Sequence, residues 1–170
     1  NHGRTLTRMR RNAEAEPIYL EAKKIGEIVL GKEHPEYAWI LNNLGVLYKD
    51  LGKYTSAEGL LQEAKSIRQK VLGIDHPDFA GSLNNIAILY WKMGDYDKAE
   101  PFFLYVKDRR AKVFGKQHPE YFASVSNLSV LYMDKGDYDK AEPLYLEAKD
   151  IKEAILNKES PEYASILNNL

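Results

Sequence analysis

The chain has 170 residues and a formal net charge of −1, so it lacks the positive field that holds nucleic acid or an anionic membrane. It contains no cysteine, which excludes disulfides, a thiolate nucleophile and a thiolate metal site. The N-terminus has no apolar signal-peptide core, and no run approaches the roughly 20 apolar residues of a membrane helix. Unless a fragment has lost such a segment, we expect a cytoplasmic protein.

One motif recurs along the chain at a fixed spacing. The stretch 41–48, Leu-Asn-Asn-Leu-Gly-Val-Leu-Tyr, returns in similar form from Leu83 and from Val125, which is a period of 42 residues. Another copy begins at Leu167 and stops at Leu170. A period between about 20 and 50 residues is typical of solenoids, whose units pack only on their neighbours. We therefore expect a piece of a longer tandem array.

The first residues keep little of this pattern. Residues 1–11 align with the second half of a repeat's first helix, but Arg10 stands where later copies have glycine. We expect a short or frayed helix there, with arginines that either face solvent or meet an acidic partner. A helix should follow over 13–30, because Ile18, Ile25 and Val29 lie on one face at helical spacing, and Gly31 should end it.

Each later unit predicts two helices. His34-Pro35 opens the first, with proline at the first helical position, and the pair returns at His76 and His118. First helices are predicted over 36–51, 78–93 and 120–135, and second helices over 55–72, 97–114 and 139–156. We expect no strand. The array should divide into a partial repeat at 1–31, full repeats at 32–73, 74–115 and 116–157, and a truncated repeat at 158–170.

The motif residues resemble the tetratricopeptide repeat, with Leu44-Gly45, Tyr48, Gly52, Tyr54, Ala57 and Ala64 in the family's order. The long period, the Asn-Asn pair and the junction at 72–77 are similar to kinesin light chain repeats. The phrase at 136–149 also resembles bacterial arrays that are often joined to a caspase-like (CHAT) protease domain. The resemblance implies an all-α, right-handed α-solenoid in which the first helices line a concave groove.

If the resemblance holds, every 42nd residue forms a column of that groove. In the family, an asparagine of the Asn43 type often hydrogen-bonds the backbone of a bound peptide, a task that suits a side-chain amide. The alternative is that these amides tie adjacent helices together. Apolar side chains in the groove indicate a binding surface, with Trp91 and Met133 as the strongest candidates, unless neighbouring helices bury them. The predicted peptide-binding residues are Asn42, Asn43, Val46, Lys49, Asn84, Asn85, Ile88, Trp91, Lys92, Asn127, Val130 and Met133.

The repeated histidines and Arg109 are candidates for other roles. Equivalent residues of stacked repeats lie roughly 10 Å apart, so His34, His76 and His118 are too distant to share a zinc ion, and we assign them to helix starts. Arg109 replaces the isoleucine found at Ile67, and either extends its charge to the surface or contacts a partner domain. Trp39 is predicted to be accessible. We predict no catalytic residues, no metal and no cofactor.

The sequence therefore predicts a non-catalytic scaffold that binds a protein or peptide in a concave groove, with Lys49 and Lys92 available to hold a carboxylate. Two alternatives remain open. The array is the sensor or regulatory arm of a larger bacterial effector, such as a CHAT protease, and packs on its own parent chain. Otherwise it associates with itself through exposed apolar ends.

Overall fold

Seven α-helices make up the structure, a computed structural model that describes the backbone of residues 2–158 and the side chains of residues 14–155. No strand occurs within residues 2–158. The chain divides into two compact units, Asn1–Asp95 and Tyr96–Leu170. The helices are α1 (His2–Val29), α2 (Pro35–Asp50), α3 (Tyr54–Leu72), α4 (Pro77–Lys92), α5 (Tyr96–Phe114), α6 (Pro119–Lys135) and α7 (Tyr138–Lys158).

The first helix of each repeat begins at a histidine cap. Nδ1 of His34, His76 and His118 accepts a hydrogen bond from the backbone N–H two residues later, at 3.2, 3.1 and 3.2 Å. Proline follows at the first helical position, where its missing N–H costs little. The capping satisfies a backbone donor that the helix leaves without an intrahelical partner. This confirms that the histidines start helices.

The N-terminal segment differs from the prediction. We expected a short or frayed helix over residues 1–11 and another helix over 13–30, but one helix, α1, runs without a break from His2 to Val29. The later turns need a left-handed residue, which Gly52, Gly94 and Gly136 supply with φ of 75°, 80° and 81°. Arg10 occupies the equivalent place, and an L-side chain disfavours that conformation. The helix therefore continues, and the interpretation of the N-terminal arginine side chains lies outside the described residues.

The core of the first unit is built on α2 and α3. Tyr37, Ala38 and Leu41 on α2 pack with Ala64 and Ile67 on α3, and all five are buried. These positions repeat at the three- and four-residue spacings of amphipathic helices, so each helix buries one face.

Gly45 marks the closest approach of α2 and α3. A Cβ atom placed there would lie 2.8 Å from Cγ of Leu61, which is shorter than van der Waals contact allows. The equivalent positions are Ala87 and Ser129, and both are buried. The prediction that a small residue permits a close helix crossing is confirmed at Gly45.

The second unit repeats the same packing with α6 and α7. Tyr121 and Val125 on α6 are buried against Ala148 and Ile151 on α7. A buried serine reinforces the hairpin, because Oγ of Ser129 on α6 donates to the carbonyl oxygen of Ala141 on α7 at 3.3 Å. The unit therefore has a hydrophobic core of its own.

Candidate protein-binding surface

A hydrogen bond between two asparagines of the first helices joins α2 to α4. Nδ2 of Asn85 on α4 donates to Oδ1 of Asn42 on α2 at 2.9 Å. Only 8% of Asn42 is exposed, so the bond is partly shielded from water. A buried amide needs such a partner, since leaving it unpaired is costly. At Asn42 the structure therefore agrees with the second of the two interpretations, in which the amides tie adjacent helices together.

The remaining asparagines of the row keep part of their surface accessible. Asn43 on α2, Asn84 and Asn85 on α4, and Asn127 on α6 are all half-buried. Asn84 and Asn127 make further interactions within the protein. The row therefore combines a bond between helices with residues that stay partly accessible.

Apolar residues lie one helical turn further along the same helices. In the first unit, Val46 on α2 and Ile88 on α4 are half-buried. In the second unit, Val130 and Met133 on α6 are 42% and 52% exposed. Val130 and Met133 are three residues apart and share a helix face. The second unit therefore presents an accessible apolar strip on α6.

The charged candidates differ in their accessibility. The side chain of Lys49 is 10% exposed, and its ammonium lies 3.4 Å from the carboxylate of Asp50. Lys92 is exposed, and its Nζ lies 4.7 Å from the ring centroid of the half-buried Trp91. A cation over an indole face is attracted by the ring quadrupole. Lys92 therefore offers an accessible positive charge, whereas Lys49 is largely occupied by its neighbour.

Tyrosine–glutamate hydrogen bonds connect successive repeats at equivalent positions. The hydroxyl of Tyr90 donates to Glu58 at 2.6 Å, and that of Tyr132 donates to Glu100 at 2.8 Å. Burial and the carboxylate of Glu100 raise the pKa of Tyr132 to about 12. Each pair joins a second helix to the next first helix, so these hydrogen bonds hold the repeats together.

Sequence reasoning missed an arginine that recurs at equivalent positions, the buried Arg68 and the half-buried Arg110. Arg68 on α3 is 5% exposed, and its guanidinium donates to the carbonyl oxygen of Asp78 and to Oγ of Ser82. Arg110 takes the equivalent place on α5, and burial lowers the pKa of both groups. Arg109, which had attracted attention instead, is half-buried. Comparing positions 42 residues apart would have revealed the repeated arginine.

The described residues form neither a metal-binding cluster nor a membrane-spanning helix. Within residues 14–155, no group of three or more His, Asp or Glu side chains is placed to hold a metal ion. In the same part of the chain, no helix combines the length and apolar character that crossing a membrane requires.

Models of the tetratricopeptide repeat match residues 1–70, 40–106 and 123–162. The chain belongs to the tetratricopeptide repeat family. This membership and the seven helices confirm the predicted all-α repeat fold of the solenoid class. Tetratricopeptide arrays are generally scaffolds for protein interaction.

Several solved structures share this fold. BtubC (BKLC) from P. vanneervenii has a TM-score of 0.78 and 30% identity over 85% of this chain and 58% of that one. A putative kinesin light chain from P. anserina with nearly identical tetratricopeptide-like repeats has a TM-score of 0.68 and 26% identity, over 83% and 67% of the two chains. A substituted form of the same P. anserina protein has a TM-score of 0.72 and 25% identity, over 86% and 69%. The chain thus spans a little over half the length of BtubC, and the search of curated proteins found no match.

Proposed function

We propose that this tetratricopeptide array is a non-catalytic scaffold that binds a protein or peptide on the surface of its first helices, the concave face in the family. The observation that carries the proposal is the exposed apolar strip of Val130 and Met133 on α6. Exposed apolar residues beside polar groups are typical of interaction sites. The half-buried Asn127 supplies the polar neighbour in the same helix.

In the first unit, α2 and α4 supply equivalent groups. The amide of Asn43 has the donor and acceptor capacity to bind a peptide backbone, while Val46 and Ile88 contact apolar side chains. Trp91 acts as an anchor, since tryptophan is enriched among residues that dominate binding energy. Lys92 pairs with a ligand carboxylate. Asn42 positions α2 against α4 through Asn85 and does not itself contact the ligand.

The test compares two exposed apolar residues of the second unit. Met133 on α6 is 52% exposed and Leu146 on α7 is 51% exposed, so Met133→Ser and Leu146→Ser remove similar apolar surface from different helices. Tagged wild-type and variant proteins are used to capture partners from a cytoplasmic fraction of source cells. We expect Met133→Ser to lose a partner that Leu146→Ser retains. Equal capture by both variants would refute binding through α6.

Exposed apolar residues on α1 favour self-association as a second candidate function. Ile18, Ile28 and Val29 are 68%, 75% and 72% exposed, a density of apolar surface that favours contact with another chain. Sedimentation at increasing concentration tests this, and a constant monomer mass would refute it.

If no partner is captured and the protein stays monomeric, the regulatory-arm alternative predicts binding to a CHAT-type protease domain encoded in the same reading frame.

A further inference from the structure

At two junctions between repeats, an arginine on a second helix donates hydrogen bonds to the beginning of the following first helix. Between α3 and α4, Nη1 of Arg68 donates to the carbonyl oxygen of Asp78 at 3.0 Å and to Oγ of Ser82 at 2.8 Å. Between α5 and α6, Nη1 of Arg110 donates to the carbonyl oxygen of Glu120 at 3.2 Å, and Nη2 lies 2.8 Å from its carboxylate. The beginning of a first helix thus accepts a guanidinium in both cases.

The junction between α1 and α2 lacks this arginine. Gly26 stands in the position of Arg68 and Arg110, whereas Glu36 retains the acidic residue of the acceptor site. Ile40 replaces the serine found at Ser82. A Cβ atom on Gly26 would lie 2.9 Å from Cδ1 of Ile40, so the isoleucine occupies the path that an arginine stem would follow. The acidic residue therefore remains at this junction, while the hydroxyl acceptor and the internal arginine donor are both missing.

A cavity is present at this junction. Its volume is about 450 Å³, and it is lined by Leu30, Glu36, Trp39 and Ile40. Trp39 is 56% exposed, although the equivalent residues of the next two repeats are the small Gly81 and Ala123. The cavity therefore combines an accessible indole, an exposed carboxylate and aliphatic walls.

Nearby lysines are directed to other carboxylates. Lys32 lies 3.0 Å from Glu27, and Lys70 forms an ion pair with Glu33. Neither contact involves Glu36. The Glu36 carboxylate therefore remains available for a cation that enters from outside.

We propose that this cavity binds an arginine side chain of a protein partner, whose guanidinium stacks on Trp39 and pairs with Glu36. Arginine fits better than lysine because a planar guanidinium both stacks on aromatic rings and forms paired hydrogen bonds with a carboxylate. The partner's side chain would supply the group that Arg68 and Arg110 supply internally. The site is separate from the proposed peptide surface, since none of its lining residues belongs to that set.

The first test uses acetyl-Gly-Arg-Gly-amide, with the citrulline peptide as a neutral control of similar shape. Binding is followed by the NMR signal of the Trp39 indole N–H during titration. We expect a saturable shift with the arginine peptide and binding up to about fivefold weaker with citrulline, because only the guanidinium carries the charge that pairs with the exposed Glu36 carboxylate. Equal responses to the two peptides, or no response at Trp39, would overturn the proposal.

Variants then identify the carboxylate. Glu36→Gln should weaken arginine-peptide binding by up to about fivefold, as is expected for an exposed ion pair, whereas Glu120→Gln, whose carboxylate already contacts Arg110, should leave it unchanged. Unaltered affinity in Glu36→Gln would contradict the assignment. Trp91→Ala separates the two sites, because it should impair the proposed peptide surface and leave the Trp39 response intact.

A further variant fills the cavity from within. Gly26→Arg combined with Ile40→Ser recreates the residue pair found at Arg68 and Ser82. We expect the double variant to lose the Trp39 response to the arginine peptide, because the internal guanidinium occupies the acceptor. Retained binding in a folded double variant would count against the proposal. Should that variant fail to fold, Glu36→Gln and the citrulline control still decide the question.

Discussion

The Asn42–Asn85 hydrogen bond offers a direct test of how α2 and α4 are held together. Asn42→Ala removes the acceptor, and Asn85→Ala removes the donor and leaves a buried amide oxygen unpaired. A typical net hydrogen bond contributes about 1 kcal/mol, and an unsatisfied buried partner costs about 1–3 kcal/mol. We expect Asn85→Ala to lower the free energy of unfolding by about 1–2 kcal/mol.

Urea unfolding followed by circular dichroism measures these losses in the two single variants and in the double variant. With a slope of about 2 kcal/mol per molar urea, a loss of 1 kcal/mol shifts the midpoint by about 0.5 M. If the residues interact directly, the double variant should lose about 1 kcal/mol less than the sum of the single variants.

The matched control is Asn43→Ala, which removes the same amide from the adjacent residue of α2. It should change the free energy of unfolding by less than about 0.5 kcal/mol, as is usual for accessible positions away from buried networks. The interhelical role of the pair would be refuted if the double variant lost as much stability as the sum of the two single variants. It would also be refuted if Asn43→Ala lost as much as Asn42→Ala.

Three further predictions concern the junctions between repeats. Ser82→Ala should lower the free energy of unfolding by about 1–3 kcal/mol in urea titrations, more than Arg68→Met, because only Ser82→Ala leaves a buried guanidinium without its hydroxyl partner; the opposite ranking would contradict this account. The hydrogen bond from Lys135 lowers the pKa of Glu100, so its stabilisation is complete above about pH 4.5 and declines as the pH falls through the folded-state value. Glu100→Gln should therefore remove up to about 1 kcal/mol of pH-dependent stability, so that the melting temperature falls less steeply at acid pH than in the wild type. An unchanged profile of melting temperature against pH would count against the ion pair. His118→Ala should cost about 0.5–2 kcal/mol by removing the cap of α6, with increased amide hydrogen exchange in its first turn as the check.

Local chemistry explains why the helices are predictable from the sequence. His76-Pro77 starts α4 within one residue of the predicted position, and Gly73 ends α3 with φ of 84°. A cap or a left-handed glycine acts within a few residues of itself, so its effect can be read without knowing the tertiary structure. The same reasoning fails at Arg10, where a missing glycine lets α1 continue.

Repetition also makes the family recognisable. The motif that includes Gly45, Tyr48 and Ala57 recurs with one period, and each residue type serves one packing task within its unit. The close crossing at Gly45 follows from this pattern, because only a small residue permits α2 and α3 to approach.

The individual roles of the candidate site residues did not follow from the sequence. Asn42 and Asn43 are chemically identical neighbours, but only Asn42 is buried and bonded to Asn85. Whether an amide faces a helix or solvent depends on a residue 43 positions away, and such contacts arise only when repeats pack.

The sequence by itself therefore determined the helices, their period and the family, since capping, turn formation and amphipathic spacing act over short distances. The tertiary structure decided which side chains are accessible. It placed Asn42 against Asn85, buried Arg68 beneath α4, and opened the cavity beside Glu36 and Trp39. The physical reason is that burial and hydrogen bonding between repeats depend on side chains brought together from different helices.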